Sequence, residues 1–307
     1  MRVLVTGGLG FLGHAVTHRL LAADHTPIVL SRRPEASSPI PGAQTVVADL
    51  RDSTALKAAV DAAQPDGICH LAALTRVRDS FERPLEYFDV NLGGSAALLH
   101  AVEGKRLPLV FVSTGAVYGP CQGRITEAQP TLPTNPYGAS KLAAEQLLRY
   151  HAQSGAIGTT ILRCFNMSGA VDGVGDRDST RIIPKALAVA AGTASHIDIN
   201  GDGSVIREFS HVADVANAVV MALGATRAGE AETFNVGSGV QSTMMEIVRT
   251  VERVTGRTVP VEFHPPRQEP AVLMADSGRL RAKLGWAPEY GALEGMVADA
   301  WGAAAPA

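Results

Sequence analysis

The chain has 307 residues, 46% of them hydrophobic and 19% charged, enough at about 150 residues per domain for one large or two modest domains around a real core. Thirty acidic against 27 basic side chains leave a net charge of −3 with no basic block, which excludes the electrostatic footprint of a nucleic-acid binder. No apolar stretch approaches the roughly 20 residues of a membrane span, and the opening residues lack the order of a signal peptide, so a cytoplasmic protein with no membrane partner is expected.

Five short aliphatic or β-branched runs, Arg2–Thr6, Thr26–Leu30, Gln44–Ala48, Gly67–Leu71 and Leu109–Ser113, read as buried parallel strands. Between them apolar residues recur at helical spacing, as in Leu12, Ala15, Val16, Leu20 and in Leu92, Ala96, Leu99, Val102. Strands separated by helices imply right-handed crossovers and a doubly wound α/β sheet. A sixth strand, Gly158–Arg163, follows a long helix that starts near Tyr137. Beyond Asn166 the alternation fades into a glycine- and charge-rich loop, Ser168–Thr180, and an apolar helix, Ile182–Ala191, which places the domain change there. A strand around Thr233–Val236, a helix Met244–Thr255, a strand Val259–Phe263 and a final helix ending near Trp301 are read together as a smaller α/β lobe. Cys69, Cys121 and Cys164 are too few and too unevenly spaced for a disulfide framework or a zinc knuckle, and no metal ligands are expected.

The first strand runs into the first helix through Gly7-x-x-Gly10-x-x-Gly13. One glycine permits the tight turn, the next lets backbone N–H groups approach a pyrophosphate, and the third lets helix and strand pack closely, with the helix N-terminus favouring negative charge. This is the pattern of a nicotinamide dinucleotide site. NAD sites usually carry an acid at the end of the second strand, whereas this chain has Ser31-Arg32-Arg33, where an arginine suits the 2′-phosphate of NADP. NAD and NADP both stay open. Asp49-Leu50 ends the third strand, where Asp49 suits an adenine amino group, and Leu71-Ala72-Ala73 offers small residues for close backbone approach. His70 reads as a packed, hydrogen-bonded histidine.

Thr114 stands at the end of the fifth strand, and 23 residues on comes Tyr137-Gly138-Ala139-Ser140-Lys141. Tyr137 and Lys141, four apart, share a helix face, so an ammonium beside the phenol is expected to lower a pKa of about 10 and ready it for proton exchange with a sugar hydroxyl. Thr114 lies where open α/β sheets bind ligands and can share the same proton.

With these residues the chain resembles the extended short-chain dehydrogenase/reductases, in particular the UDP-glucose (UDP-galactose) 4-epimerase branch of the NAD-dependent epimerase/dehydratases. Beyond Thr6–Gly13, the resemblance runs through Asp49-Leu50, His70–Ala73, Asn91, Ser113–Gly119, Tyr137–Lys141, Leu162–Asn166, Arg207–Asp214, Asn235–Gly239 and Leu284–Trp286, almost the whole chain. It implies a Rossmann domain over residues 1–166 and a lobe over 167–307 that mainly binds a nucleotide-sugar, with some segments returning to the first domain. Phe11, Leu12 and Asn91 would join the cofactor residues, with Tyr137 as acid/base, Lys141 on the nicotinamide ribose and Thr114 on the reacting sugar oxygen. Asn166 would reach the diphosphate-sugar, and Arg207 and Arg267 would hold its diphosphate. Homodimerisation through a four-helix bundle, built from the helices that include Leu92–Val102 and Tyr137–His151, is also implied.

Gly115-Ala116 after the threonine excludes the Asp-Glu pair of the related 4,6-dehydratases. Ser31-Arg32, Met167 and Arg267-Gln268-Glu269-Pro270 depart from the epimerase branch, which opens the sugar to uronic, amino or deoxy forms. The expected activity is nucleotide-sugar 4-epimerisation, with an NADPH-dependent 4-keto-sugar reductase as the alternative within enzymes and a non-catalytic dinucleotide sensor as the alternative outside them.

Overall fold

A computed structural model describes residues 1–33, 40–121, 123–155, 157–266 and 271–304. Seven strands form its main sheet: β1 (Arg2–Thr6), β2 (Thr26–Ser31), β3 (Gln44–Val47), β4 (Gly67–His70), β5 (Pro108–Thr114), β6 (Gly158–Cys164) and β7 (Ala231–Val236). Their spatial order is β7-β6-β5-β4-β1-β2-β3, and every neighbouring pair is parallel. The order reverses between β1 and β4, and ligands of open α/β sheets bind outside the carboxyl ends of the strands at such a switch point.

Alternation along the strands explains the two layers. Val3 and Val5 of β1 join a core on one face with Leu12, Val16 and Leu20 of helix α1 (Phe11–Ala22), while Leu4 packs on the other with Leu56 and Val60 of α2 (Ser53–Ala63). The second face also holds Leu98 and Leu99 of α3 (Gly94–Ala101) and Ala144 and Leu148 of α4 (Pro136–Gln153). The first is completed by α5 (Val212–Ala225).

Six expected strands lie within a residue or so of their places. The strand expected around Thr233–Val236 does not belong to the smaller lobe: as β7 it extends the main sheet along β6, from Ala231 opposite Thr159 to Val236 opposite Cys164. The expected loop Ser168–Thr180 contains a small hairpin, Ala170–Val171 with Val174–Gly175, and Met167–Ser168 pairs with Ser210–His211. The strand expected at Val259–Phe263 runs over Val261–His264 beside Ile197–Asn200. A four-stranded sheet joins Gln241–Thr243, Ile206–Glu208, Val272–Ala275 and Gly123–Ile125, so a segment from the first half of the chain completes the later lobe. Ile183, Leu187, Ile247, Val251, Met296 and Val297 form a separate apolar core beneath it.

Trp286 is 1% exposed and donates from its indole N–H to the Asp214 carbonyl at 2.9 Å, and Trp301 packs on the lobe core, so both tryptophans are structural. His211 caps α5 by accepting from Ala213 N–H at 3.0 Å. Among the described residues no helix is long and apolar enough to cross a membrane, and all three cysteines are free.

Candidate active site

At the carboxyl end of β1 the chain turns sharply, with Gly7 at φ +72° and Gly10 N–H bonded to Gly7 carbonyl at 2.9 Å. A Cβ on Gly7 would meet the Ala72 backbone N at 2.8 Å, and one on Gly13 would lie 2.0 Å from the Gly7 oxygen, so both positions need glycine for close approach of backbones. Thr6 locks the turn to β4: its hydroxyl accepts from Leu71 and Ala72 N–H at 3.2 and 3.1 Å and bonds His70 Nδ1 at 2.7 Å. The other His70 nitrogen bonds the Ser95 hydroxyl at 3.0 Å, and burial pushes its pKa down to about 3, so His70 is a neutral bracket between strand and helix.

A cleft of about 430 Å³ opens over this turn. Of the expected cofactor residues, Gly7, Gly10, Ser31, Arg32, Asp49, Leu50, Ala72 and Ala73 line it. Helix α1 begins at Gly10 with no side-chain cap, so its amide end is left for an anion at the cleft floor. A cradle that a Cβ would fill, joined to an uncapped helix N-terminus, fits a dinucleotide pyrophosphate.

Phe11, Leu12, Gly13 and Leu71 stand behind the lining. Leu12 is core, Phe11 and Leu71 pack against that core, and Gly13 is buried at the helix start. Asn91 also acts from behind: its oxygen accepts from Leu74 N–H at 2.8 Å, and its amide donates to Leu74 carbonyl at 3.1 Å and Ser140 hydroxyl at 3.0 Å. It sits in a π-helical turn, Asp89–Gly93, and ties the Ala72–Leu74 wall to the helix that carries Tyr137.

The adenosine end holds residues that sequence reasoning missed. Arg51 forks onto Asp49, Nε to Oδ1 at 3.1 Å and Nη2 to Oδ2 at 2.9 Å, and together with Arg32 at 4.0 Å it holds the Asp49 carboxyl down to about 2. Arg32 and Arg51 thus flank Asp49 at this wall, and Arg33 and Glu86 line the same cleft. Ser31 is turned inward, its hydroxyl accepting from Arg33 N–H at 3.1 Å.

Thr114 ends β5 and caps the following 3-10 turn, Gly115–Tyr118, by accepting from Ala116 N–H at 3.1 Å. Tyr137 enters α4 in its first turn, behind Pro136 and the cap Asn135, which accepts from Gly138 N–H at 2.8 Å. The Tyr137 ring meets Tyr87 edge to face at 6.4 Å. The phenol shifts opposite to the sequence-based expectation. Burial outweighs the Thr114 hydrogen bond and the charge of Arg181 and pushes it up to about 12. Lys141 Nζ lies over the Phe111 ring, 3.8 Å from the centroid, and burial takes its pKa down to about 7.

One helical turn past Lys141, Glu145 is fully buried and opposes that shift. Glu145 binds Arg163 at 2.7 Å and accepts from the Ser113 hydroxyl at 2.5 Å. Tyr137, Lys141 and Glu145 make a stripe at spacing four, which is the signal that could have found Glu145.

Of the expected sugar-nucleotide residues, Asn166 follows the main sheet's β6 and Arg207 belongs to the four-stranded sheet of the later lobe. Asn166 is exposed at the end of β6, its amide donating to the Glu208 carbonyl at 3.1 Å. Arg207 lies on the strand Ile206–Glu208, half-buried, with Nη1 on its neighbour Ile206 carbonyl at 2.7 Å. Arg267 falls outside the described residues. Arg181, which the sequence reading also missed, caps the helix Ile182–Ala190 and is held by Asp176 at 2.9 Å.

A parallel sheet with this strand order, and a glycine cradle at its switch point, define a Rossmann-type dinucleotide-binding protein. The model of the NAD dependent epimerase/dehydratase family matches residues 3–237, and the chain belongs to that family. A UDP-glucose 4-epimerase of Streptomyces lividans is 39% identical over 98% of this chain and 95% of that protein. Among solved structures, a UDP-glucose-4-epimerase of Stenotrophomonas maltophila with bound NAD and formylated UDP-arabinopyranose superposes with TM-score 0.90 at 32% identity, covering 98% of this chain and 97% of that one. A UDP-glucose 4-epimerase of Brucella ovis in complex with NAD is similar at TM-score 0.90 and 32% identity, with 97% of each chain covered.

Proposed function

We propose that this chain is a nucleotide-sugar 4-epimerase, with NAD as its cofactor and a UDP-hexose or modified UDP-sugar as its substrate. The observation that carries the reading is the placement of Thr114 and Tyr137 at the carboxyl end of β5, followed by Gly115-Ala116 in place of an acidic pair. A bound nicotinamide supplies the acceptor and donor of one hydride at C4. Tyr137 would take the C4 hydroxyl proton as phenolate, the positive charge of a bound oxidised nicotinamide offsetting the burial that otherwise holds its phenol up, and would return the proton after the 4-keto sugar has turned, so no net oxidation occurs. Thr114 shares that proton, Lys141 holds the nicotinamide ribose, and Asn166, Arg207 and Arg267 hold the diphosphate-sugar. The protein divides into a dinucleotide domain over 1–166 and a mainly substrate-binding lobe over 167–307, with segments of the latter, Val212–Ala225 and Ala231–Val236, returning to the first.

The test is conversion of UDP-galactose to UDP-glucose by the purified protein, followed by the same assay on Tyr137→Phe. Turnover in the parent is expected to fall by about 10²–10⁴ in the variant, with the nucleotide still bound. A parent that reduces 4-keto sugars with NADPH and interconverts no epimers would replace this reading with the reductase. One observation favours that second reading: Arg32, Arg33 and Arg51 line the same cleft as two carboxylates, Asp49 and Glu86, and an excess of arginine suits the extra phosphate of NADP.

We also propose a homodimer through a four-helix bundle. Phe81, Leu85 and Phe88 leave apolar surface exposed on the helices leading into α3, with Leu85 85% exposed, and Tyr150 does so on α4 at 70%. Light scattering at micromolar concentration is expected to give twice the chain mass, and a monomer would refute it.

A further inference from the structure

Helix α1 carries two histidines one turn apart, His14 and His18, whose ring centroids lie 4.5 Å apart. Facing them is Asp172, at the tip of the hairpin Ala170–Val171 to Val174–Gly175. Asp172 at φ 49° and Gly173 at φ 74° are both left-handed, the signature of a two-residue hairpin turn, so the carboxylate is presented from a tightly defined position. One ring nitrogen from each histidine and one carboxylate oxygen all lie within 4.8 Å of one another.

The second, independent observation is an unmet polar group. His14 is 6% exposed, and its Nε2 is buried without a hydrogen-bond partner, as is Nε2 of His18. A buried imidazole nitrogen without a partner is costly. The His18 Nε2 to Asp172 Oδ2 separation is 3.4 Å, too poorly aligned for a hydrogen bond. It is close to the edge of a tetrahedron whose centre lies about 2.0–2.1 Å from its ligands, which is the zinc geometry.

We infer that His14, His18 and Asp172 form a binding site for a divalent transition-metal ion of the zinc class, with water in the fourth position. Two imidazoles, which are borderline nitrogen ligands, beside a single hard carboxylate suit zinc better than calcium or magnesium. An ion there ties the helix that opens at the glycine cradle to the hairpin leading into Asp176 and Arg181. The other grouping, His196, Asp198 and Glu262, carries no such argument. His196 is only half-buried and the two carboxylates are exposed, and Asp198 is already paired with Lys185 and with His264 at 2.8 Å.

The test is a zinc titration of the full chain against a chromophoric chelator, run on the Asp198→Ala background, which removes the carboxylate shared by His196 and His264 and so silences the other grouping. One equivalent per chain is expected to be withdrawn from the chelator, with a rise in Tm on zinc addition. His18→Ala and Asp172→Ala, introduced separately, should each weaken binding at least tenfold, since loss of a mere outer partner of a metal ligand already does that much. Asp172 has a side chain 68% exposed, so the change touches no core, and Asp172→Gly, free of the strain Ala meets at φ 49°, should weaken zinc to the same degree. No withdrawal of zinc, or a loss smaller than tenfold in either variant, would overturn the inference.

Discussion

Glu145 grips Arg163 at two points beneath the candidate active site, Oε2 to Nη2 at 2.7 Å and Oε1 to Nε at 3.1 Å, with the two side chains 0% and 5% exposed. The pair links α4, which carries Tyr137 and Lys141, to β6, which ends beside Asn166. Removing Glu145 leaves Arg163 without a carboxylate in the interior, and removing Arg163 leaves buried Glu145 with Arg149 at 3.7 Å as its remaining cation; breaking a buried pair typically costs about 3–5 kcal/mol. Glu145→Gln and Arg163→Met are each expected to lower unfolding free energy by that order in urea melts, and the double variant by less than their sum. Additive losses would show that the two side chains act separately.

Lys141 predicts a pH dependence of stability. Its folded pKa, about 7, lies below its unfolded value of about 10.5, because burial opposes the charge. Below pH 7 both states hold the proton, and the folded state carries the whole penalty. Between pH 7 and 10.5 the unfolded state binds more protons, so stability rises with pH, and above both values the penalty is gone. The parent is therefore expected to gain on Lys141→Met as pH goes from 6.5 to about 9.5, and chemical unfolding at several pH values reads this directly. A constant gap would place the ammonium in water.

The glycine cradle gives a third expectation. In Gly13→Ala the new methyl would sit 2.0 Å from the Gly7 oxygen, so the turn must open and the amide end of α1 must shift. Mass spectrometry of nucleotide released on denaturation is expected to find the dinucleotide depleted in this variant. Retention equal to the parent would mean that the pyrophosphate is held elsewhere.

What the sequence made legible was local. Buried strands such as Gly67–His70 and the turn at Gly7–Gly13 announce themselves within a dozen residues, because both faces of the sheet are apolar and the turn requires glycine. Thr233–Val236 was read correctly as a strand but not in its sheet, since nothing local says which edge it joins. The upward shift of the Tyr137 phenol is not legible locally, because it comes from burial by the folded chain, which outweighs the lowering by Thr114 and distant Arg181, while Lys141 lies over Phe111. Asp49 was named, but its partner Arg51 was not, since the fork depends on how the chain turns after β3. The His14-x-x-x-His18 spacing was visible, whereas Asp172 reaches it only through the fold.

The adenosine wall carries the last prediction. Asp49 is held as an ion by Arg51, which leaves Arg32 at 4.0 Å, with its side chain 69% exposed, as a cation facing the cleft. Reversing it in Arg32→Asp supplies the carboxylate that usually binds ribose hydroxyls and repels a 2′-phosphate. The variant is expected to shift the ratio of NAD to NADP affinity toward NAD by at least about tenfold, roughly 1.4 kcal/mol. Paired titrations of parent and variant with both nucleotides measure that ratio. If it stays fixed, Arg32 does not contact the ribose end, and selection between the two nucleotides falls to Arg33 or Arg51 on the same wall.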